Sequence, residues 1–419
     1  MKFLLLLAQH DTDFRAKELI AIAEMEKIEL NLENYKEDSP FVEVDLPSED
    51  EARRLVQRSF LTRGIYRILA QGSSMDAVHE SNKKNLAVYD EFMNKSFKVE
   101  FNCYQGTRSK ESQLTEINNL GYTNLNGRIS LKNPEVRFVF LEDYDQYNPT
   151  PKYIWLATLV SSTARSVIDI YDLKKRKHVG TTSFEAELAL VTTNMAQIRK
   201  GDIVYDPFSG TGSFPIAAAY HGAYVFASDI DRRPLRNYGL NFAQYNTSKN
   251  FLDSLEMDFT HDAFQSRLKF DAIICDPPYG IRERLVVCGA AKPERFIGKE
   301  HILVDNELSH RRRDYIATKK PVELSTILQN LLDFAATRLN VGRRLAFWLP
   351  VEDRDVETTK IPLHTDLEFK YVSVQKFSKW ERWLLTYEKR PHGDKGPEIP
   401  ISLTDDFREK YYTRYRGQK

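Results

Sequence analysis

The tetrapeptide Asp276-Pro277-Pro278-Tyr279 follows an apolar run, Phe270–Cys275, of the length and composition of a buried strand. Two consecutive prolines stiffen the turn after that strand and leave nearby carbonyls without competing local N–H donors. Such a turn suits an exocyclic amine on a nucleobase, which carries two N–H donors and a lone pair delocalised into the ring. The Asp276 carboxylate and the Pro277 carbonyl can accept the two hydrogens, which orients the nitrogen and favours its rehybridisation into a nucleophile. Tyr279 can stack on the face of the base. The chemistry expected of these residues is methylation of the amine, with Asp276, Pro277 (through its backbone) and Tyr279 as the catalytic set.

A second constellation lies upstream. Residues 203–213, Ile-Val-Tyr-Asp-Pro-Phe-Ser-Gly-Thr-Gly-Ser, read as a strand, a glycine loop and the start of a helix. Gly210 and Gly212 permit a tight turn and close approach of backbone to a ligand. Ser213 can open the helix, whose first N–H groups face the same space. Asp206, at the strand end, can bind the ammonium of an amino-acid moiety. The next apolar run, 223–228, ends in Asp229-Ile230-Asp231. An acid after the second strand is placed for ribose hydroxyls, a role assigned to Asp229. Asp231 suits the cap of the following helix, with Pro234 near that helix's start. Asp258, where a third strand should end, can accept from an adenine amino group. A dinucleotide site would ask for G-x-G-x-x-G, but Phe214 and Pro215 stand where further glycine would be expected. Adenosyl binding is therefore favoured over pyrophosphate binding, and S-adenosyl-L-methionine is the expected cofactor.

These residues need a scaffold that brings several strand ends together. From about residue 153 strand-like and helix-like segments alternate: 203–206, 212–221, 223–228, 234–245, 270–275, 322–339 and 344–349. That rhythm predicts an α/β domain with a mainly parallel sheet, which binds ligands at the carboxyl ends of its strands. The first third reads as α+β. Residues 3–8 form an apolar run suited to a buried strand. Ser48 and Glu51 make a capping-box pattern before a helix whose apolar face is Ala52, Leu55 and Val56. Phe97, Val99, Phe101 and Cys103 alternate with polar residues as in a half-buried strand. Residues 136–141 and 153–160 read as further strands, with a boundary in the Asn- and Pro-containing stretch 143–152.

Bulk properties exclude several classes. Lys plus Arg equals Asp plus Glu at 60 each, so the whole surface does not attract nucleic acid electrostatically. A nucleic-acid enzyme of this composition needs a local basic patch or a partner. Cys103, Cys275 and Cys288 form no C-x-x-C pair, so neither a disulfide framework nor a metal site is expected. The apolar start is too short to span a membrane. A cytosolic or nuclear location is expected, assigned as cytoplasmic, with no membrane partner.

The tracts 171–177 (Tyr-Asp-Leu-Lys-Lys-Arg-Lys), 180–189 (Gly-Thr-Thr-Ser-Phe-Glu-Ala-Glu-Leu-Ala), Asn194-Met195-Ala196 and 206–213 narrow the match. Together with Asp-Pro-Pro-Tyr, they resemble the tRNA guanosine N2-methyltransferases that act at position ten, above all the eukaryotic catalytic subunit. The resemblance is strong over roughly residues 150–390 and weaker before them. It implies residues 1–150 as a ferredoxin-like region plus a THUMP domain that docks tRNA, and 151–419 as a class I, Rossmann-like methyltransferase domain. It also implies tRNA as substrate and a small zinc-binding activator as partner in a heterodimer. In that family the segment before the first methyltransferase strand lies near the cofactor, which makes Thr182 a candidate contact; alternatively Thr182 is a helix N-cap, with Glu185 completing a T-x-x-E box. Between the catalytic motif and the next helix, residues 281–320 hold ten Lys or Arg against six Asp or Glu. Arg311, Arg312 and Arg313 are the expected RNA contacts there. Trp380 and Trp383 are expected in the core. Two rivals remain: a DNA adenine-N6 methyltransferase, because Asp-Pro-Pro-Tyr does not name the base, and a non-catalytic RNA-binding or scaffold subunit of the same fold.

Overall fold

The computed structural model describes residues 1–400 apart from 147, 282, 296, 298–301, 313–314, 353–355 and 357–358. The chain divides into two compact units, Met1–Ser166 and the part from Val167 onward.

The first unit is one mixed sheet of six strands, in the order β2-β1-β3-β6-β5-β4. Its strands are β1 (Lys2–Leu7), β2 (Phe41–Asp45), β3 (Thr62–Gly72), β4 (Phe97–Tyr104), β5 (Val136–Tyr144) and β6 (Pro151–Ser162). Its helices are α1 (Thr12–Glu26), α2 (Glu49–Gln57), α3 (Met75–Lys83) and α4 (Lys110–Asn119). The capping signal acts as expected: the Ser48 hydroxyl accepts from the Glu51 N–H, and α2 buries Ala52, Leu55 and Val56. β1 buries both faces, Phe3 and Leu5 against α1 and α2, Leu4 and Leu6 against Val139, Leu141 and Trp155. The division differs from the boundary expected at 150. β6 pairs with β3 and β5, so it completes the first sheet and the break falls after Ser166.

In the second unit a short helix, α5 (Ser166–Tyr171), precedes α6 (Ala186–Met195). Then come β7 (Ile203–Asp206), α7 (Ser213–Tyr220), β8 (Tyr224–Asp229), α8 (Arg232–Leu235), α9 (Tyr238–Gln244), β9 (Phe251–Glu256) and β10 (Phe270–Cys275). Two small antiparallel pairs fill the insertion: β11 (Val286–Cys288) with β14 (Lys319–Pro321), and β12 (Leu303–Val304) with β13 (Glu307–Leu308). The unit ends in α10 (Leu324–Arg338), β15 (Leu339–Glu352), β16 (Leu367–Lys376) and β17 (Trp380–Lys389).

Its seven strands run β16-β17-β15-β10-β7-β8-β9. β9, β8, β7, β10 and β15 are parallel, and β17 is antiparallel to both its neighbours. Period-two alternation decides which face each side chain serves. Leu345, Phe347 and Leu349 join Leu328, Leu331 and Leu332 of α10 in one buried cluster. Trp348 points the other way, its indole N–H donating to Thr192 of α6 and its ring 5.0 Å from Phe184. Burying each such large side chain contributes roughly 1.5–3 kcal/mol. Both faces of the central strands are thus covered, as a parallel sheet requires. Strand order reverses between β7 and β10, and the parallel register brings Asp206, Asp229 and Asp276 to one edge of the sheet.

Candidate active site

A cavity of about 420 Å³ opens at that edge. Its walls come from residues 181–185, the glycine loop with Gly210, the Asp276–Tyr279 turn, Glu283, and the β16–β17 hairpin with Gln375, Phe377, Trp380 and Arg382.

The glycine loop takes its shape from positive φ angles, 50° at Gly210 and 88° at Gly212. A Cβ at Gly212 would lie 2.9 Å from the buried Tyr238 ring, so this position has no room for a side chain. Gly212 is the N-cap of α7. The Gly210 N–H donates to Asp229 Oδ2 at 2.9 Å, and Asp229 Oδ1 accepts from the Asp231 N–H at 2.8 Å. Asp229 therefore ties the first loop to the end of β8. Burial raises its pKa to about 6 against the pull of those two N–H groups, with Glu283 and Asp231 adding to the rise. Asp231 caps α8, as its sequence position suggested.

Asp206 is buried at the end of β7. Its Oδ1 accepts from the Phe208 N–H at 2.9 Å, while Oδ2 is buried with no hydrogen-bond partner. Burial, with the charges of Asp229 and Asp276, holds this carboxyl well above the ordinary carboxylate range. A buried acceptor oxygen without a donor, beside a glycine loop, fits the ammonium of an amino-acid moiety. The residues present thus fit the amino-acid end of S-adenosylmethionine.

Asp276 and Tyr279 form a pair, with the Tyr279 hydroxyl donating to Asp276 Oδ1. Burial pushes Asp276 up to about 6; Arg382 and the Tyr279 hydrogen bond pull down, and Glu283 pushes up. Burial also drives the Tyr279 phenol well above its ordinary value.

The other expected residues are placed less uniformly. Thr182 lines the cavity and its hydroxyl donates to Glu283 at 2.6 Å. It is not a helix cap: α6 starts at Ala186 with Glu185 in the N-cap position, because the chain from 181 to 185 stays outside the helix along the cavity wall. Of the expected cofactor residues Thr182 and Gly210 line the cavity, whereas Asp206, Gly212, Asp229 and Asp258 do not. Asp258 Oδ1 accepts from the Thr260 N–H and hydroxyl, and its Oδ2 accepts from the Cys288 N–H at 2.6 Å beside the His261 ring. A carboxylate has about four acceptor sites. With three donors on it and the His261 ring beside Oδ2, Asp258 ties its own turn to the insertion. In the insertion, Arg311 is exposed, whereas Arg312 is held by Asp305 at 2.7 Å and the Val304 carbonyl. Arg313 lies outside the described residues. Trp383 is buried in the core as expected, but Trp380 is not a core residue: it lines the cavity and stacks on Phe377, ring centroids 4.4 Å apart.

Arg382 carries no local sequence signal, yet it forms part of the wall. Its guanidinium lies 4.2 Å from the Phe184 ring and 4.8 Å from Trp348, and it donates to Gln375 and Glu185.

This sheet order, with a glycine loop after β7 and Asp-Pro-Pro-Tyr after β10, defines a class I methyltransferase that uses S-adenosylmethionine. Comparison with known proteins agrees. A family profile described as the Tmrp11 THUMP N-terminal domain matches residues 1–165, and one described as an RMKL-like methyltransferase domain matches 174–285. The tRNA (guanine(10)-N(2))-methyltransferase of Saccharomyces cerevisiae is 42% identical, over 99% of each chain. The Schizosaccharomyces pombe protein of that name is 34% identical, over 90% of this chain and 81% of its own, and the human one 31%, over 98% and 95%. The chain belongs to the tRNA (guanine(10)-N(2))-methyltransferase family. Among solved structures, TrmN from Thermus thermophilus is 16% identical with a TM-score of 0.44, over 93% of this chain and all of that one. No helix among the described residues is long and apolar enough to cross a membrane.

Proposed function

We propose that the chain methylates the exocyclic N2 of guanosine 10 in tRNA, as the catalytic subunit of a heterodimer with a small zinc-binding activator. The observation that carries this reading is the Asp276 carboxylate lining one cavity with the glycine loop. Asp206 would hold the ammonium of the cofactor, and the Gly210 and Gly212 backbone its amino-acid end. Asp229 keeps acceptor capacity for ribose hydroxyls beyond its two backbone bonds. Thr182 is a further contact on the cavity rim. S-adenosylmethionine, when bound, would supply an electrophilic methyl group to the guanine N2, with S-adenosylhomocysteine as the leaving group and one N2 proton lost.

The chain's own residues supply positioning and charge. Asp276 and the Pro277 carbonyl accept the two N2 hydrogens, hold the lone pair on the line of attack and stabilise the positive charge that develops on nitrogen. Tyr279, tethered to Asp276 through its hydroxyl, presents its ring to the base. Residues 1–150, extended by β6, are the tRNA-docking part, and Arg311 is the candidate phosphate contact of the insertion. The zero net charge is consistent with docking through local patches and a partner. We place the enzyme in the cytoplasm.

The test is tritium transfer from labelled S-adenosylmethionine to total tRNA by the chain co-expressed with its activator, followed by nucleoside analysis. N2-methylguanosine that vanishes in Asp276→Ala supports the reading. N6-methyladenosine would favour the adenine rival. Cofactor binding without transfer to any RNA would favour a scaffold.

A further inference from the structure

We infer that Arg382 is a positioning residue for methyl transfer: fixed in an aromatic cage across the cavity, its guanidinium keeps the Asp276 carboxylate in its hydrogen-bond-accepting form. This rests on the role proposed above for Asp276.

Two buried rings, one exposed ring and two hydrogen-bond acceptors hold the cation. Phe184, Trp348 and Phe377 surround the guanidinium at 4.2, 4.8 and 5.7 Å from ring centroids. Its Nε and Nη2 donate to Gln375 of β16, and Nη2 also to Glu185 at the start of α6. Phe184 and Trp348 are themselves buried, so the cage cannot easily relax. Arginine is suited to the place because it stacks on rings, stays charged and is weakly hydrated. The groups facing Asp276 otherwise give it little help. Tyr279 donates one hydrogen bond, whereas Glu283, Asp206 and Cys275 bring only negative charge or a thiol. Among the described residues Arg382, which shares the cavity wall with Asp276, is the cation whose charge offsets burial there, and burial still lifts Asp276 to about 6. Glu185, 3.0 Å from the guanidinium, is its direct ion-pair partner and takes part of that positive charge, but it is half-exposed and its field is screened by solvent.

Single-turnover transfer to tRNA, followed from pH 5.5 to 9 with the co-expressed complex, separates positioning from mere support of the fold. In the wild type the rate falls on the acid side as Asp276 takes a proton. Arg382→Met should move that limb upward by about one pH unit or more, a loss of roughly tenfold near its midpoint, with the alkaline plateau largely kept. Arg382→Lys should return most of the limb. Arg382→Gln, which keeps a hydrogen bond to Gln375, replaces the Met variant if that one does not fold. An equal loss at every pH with the limb unmoved overturns the inference. Full transfer by Asp276→Asn would instead remove the reading on which it rests.

Discussion

Gly212→Ala should damage the methyltransferase unit more than Gly210→Ala, although both replace a glycine of one loop. Both positions have positive φ, which costs an L side chain about 1–2 kcal/mol. Only Gly212 adds a steric conflict. Its new Cβ would stand 2.9 Å from the Tyr238 ring, whereas nothing lies within 4 Å of a Cβ at Gly210. Tyr238 is 1% exposed and packs on Phe242 and Phe251, so its ring has nowhere to go. Overpacking of this kind costs about 1–3 kcal/mol. The expected loss is therefore about 2–5 kcal/mol at Gly212 and about 1–2 kcal/mol at Gly210, from those two contributions. For a unit of this size each kcal/mol lowers the melting temperature by roughly 2–4 °C. Thermal unfolding of the two variants should separate them by several degrees, with Gly212→Ala lower. Pairing Gly212→Ala with Tyr238→Leu should cost less than the sum of the single changes, because the second change removes the obstacle to the first. Equal melting temperatures, or strict additivity in the double variant, would refute the steric argument and leave only backbone strain.

Other outcomes follow from the same site. Asp276→Asn keeps the shape of the side chain but puts a donor where an acceptor is needed; single-turnover transfer should fall by at least about a hundredfold, while S-adenosylhomocysteine binding, followed by calorimetry, stays near wild type. Asp229 has a folded pKa raised to about 6, so its ionised form destabilises the free protein above that value and the penalty fades as pH falls through it. Cofactor affinity should run the opposite way, full above pH 7 and weaker below 6 as the ribose acceptor is protonated; a flat titration between pH 8 and 5 argues against that contact. Because burial raises the Asp206 pKa, an ammonium bound there should lower it again and release whatever proton the carboxyl carries, visible as a dependence of the calorimetric heat on buffer ionisation enthalpy. In the insertion, Arg311→Ala should reduce the slope of log K for tRNA against log salt by about 1. Arg312→Ala should leave that slope nearly unchanged and instead loosen the β12–β13 hairpin that it ties to Asp305.

The residues readable from sequence were those whose roles are set by their immediate neighbours. Asp276 follows its strand directly, so an apolar run and two prolines are enough to place it at a strand's carboxyl end. Ser48 and Asp231 cap helices through bonds to amides two or three residues away, and such bonds leave a local signature. β6 resisted for a physical reason. Its apolar residues, Ile154 to Ala157, suit either sheet, and it is pairing with β5 on one side and with β3, some ninety residues earlier, on the other that assigns it to the first. The Asn- and Pro-containing stretch before it is the bend between β5 and β6, not a division between units.

Asp258 and Arg382 show the same limit from opposite sides. Asp258 stands just past the third strand of the parallel set, where an adenine contact was expected. The amide that occupies its Oδ2 belongs to Cys288, thirty residues on, in an insertion whose path no strand pattern specifies. Arg382 lies more than a hundred residues from Asp276. It reaches the cavity because β17 pairs with β15 in a register that sets Arg382 opposite Pro350 and places it against the Trp348 ring. A shift of one residue in that register would turn Arg382 to the other face of the sheet and put the buried Trp383 in its place. The alternation of Trp383 and Leu385 in the α10-side core prevents such a slip. The packing on one face of β17 therefore sets where the charge lies on the other, and core substitutions at Trp383 or Leu385 should disturb the acid side of the rate profile as well as stability.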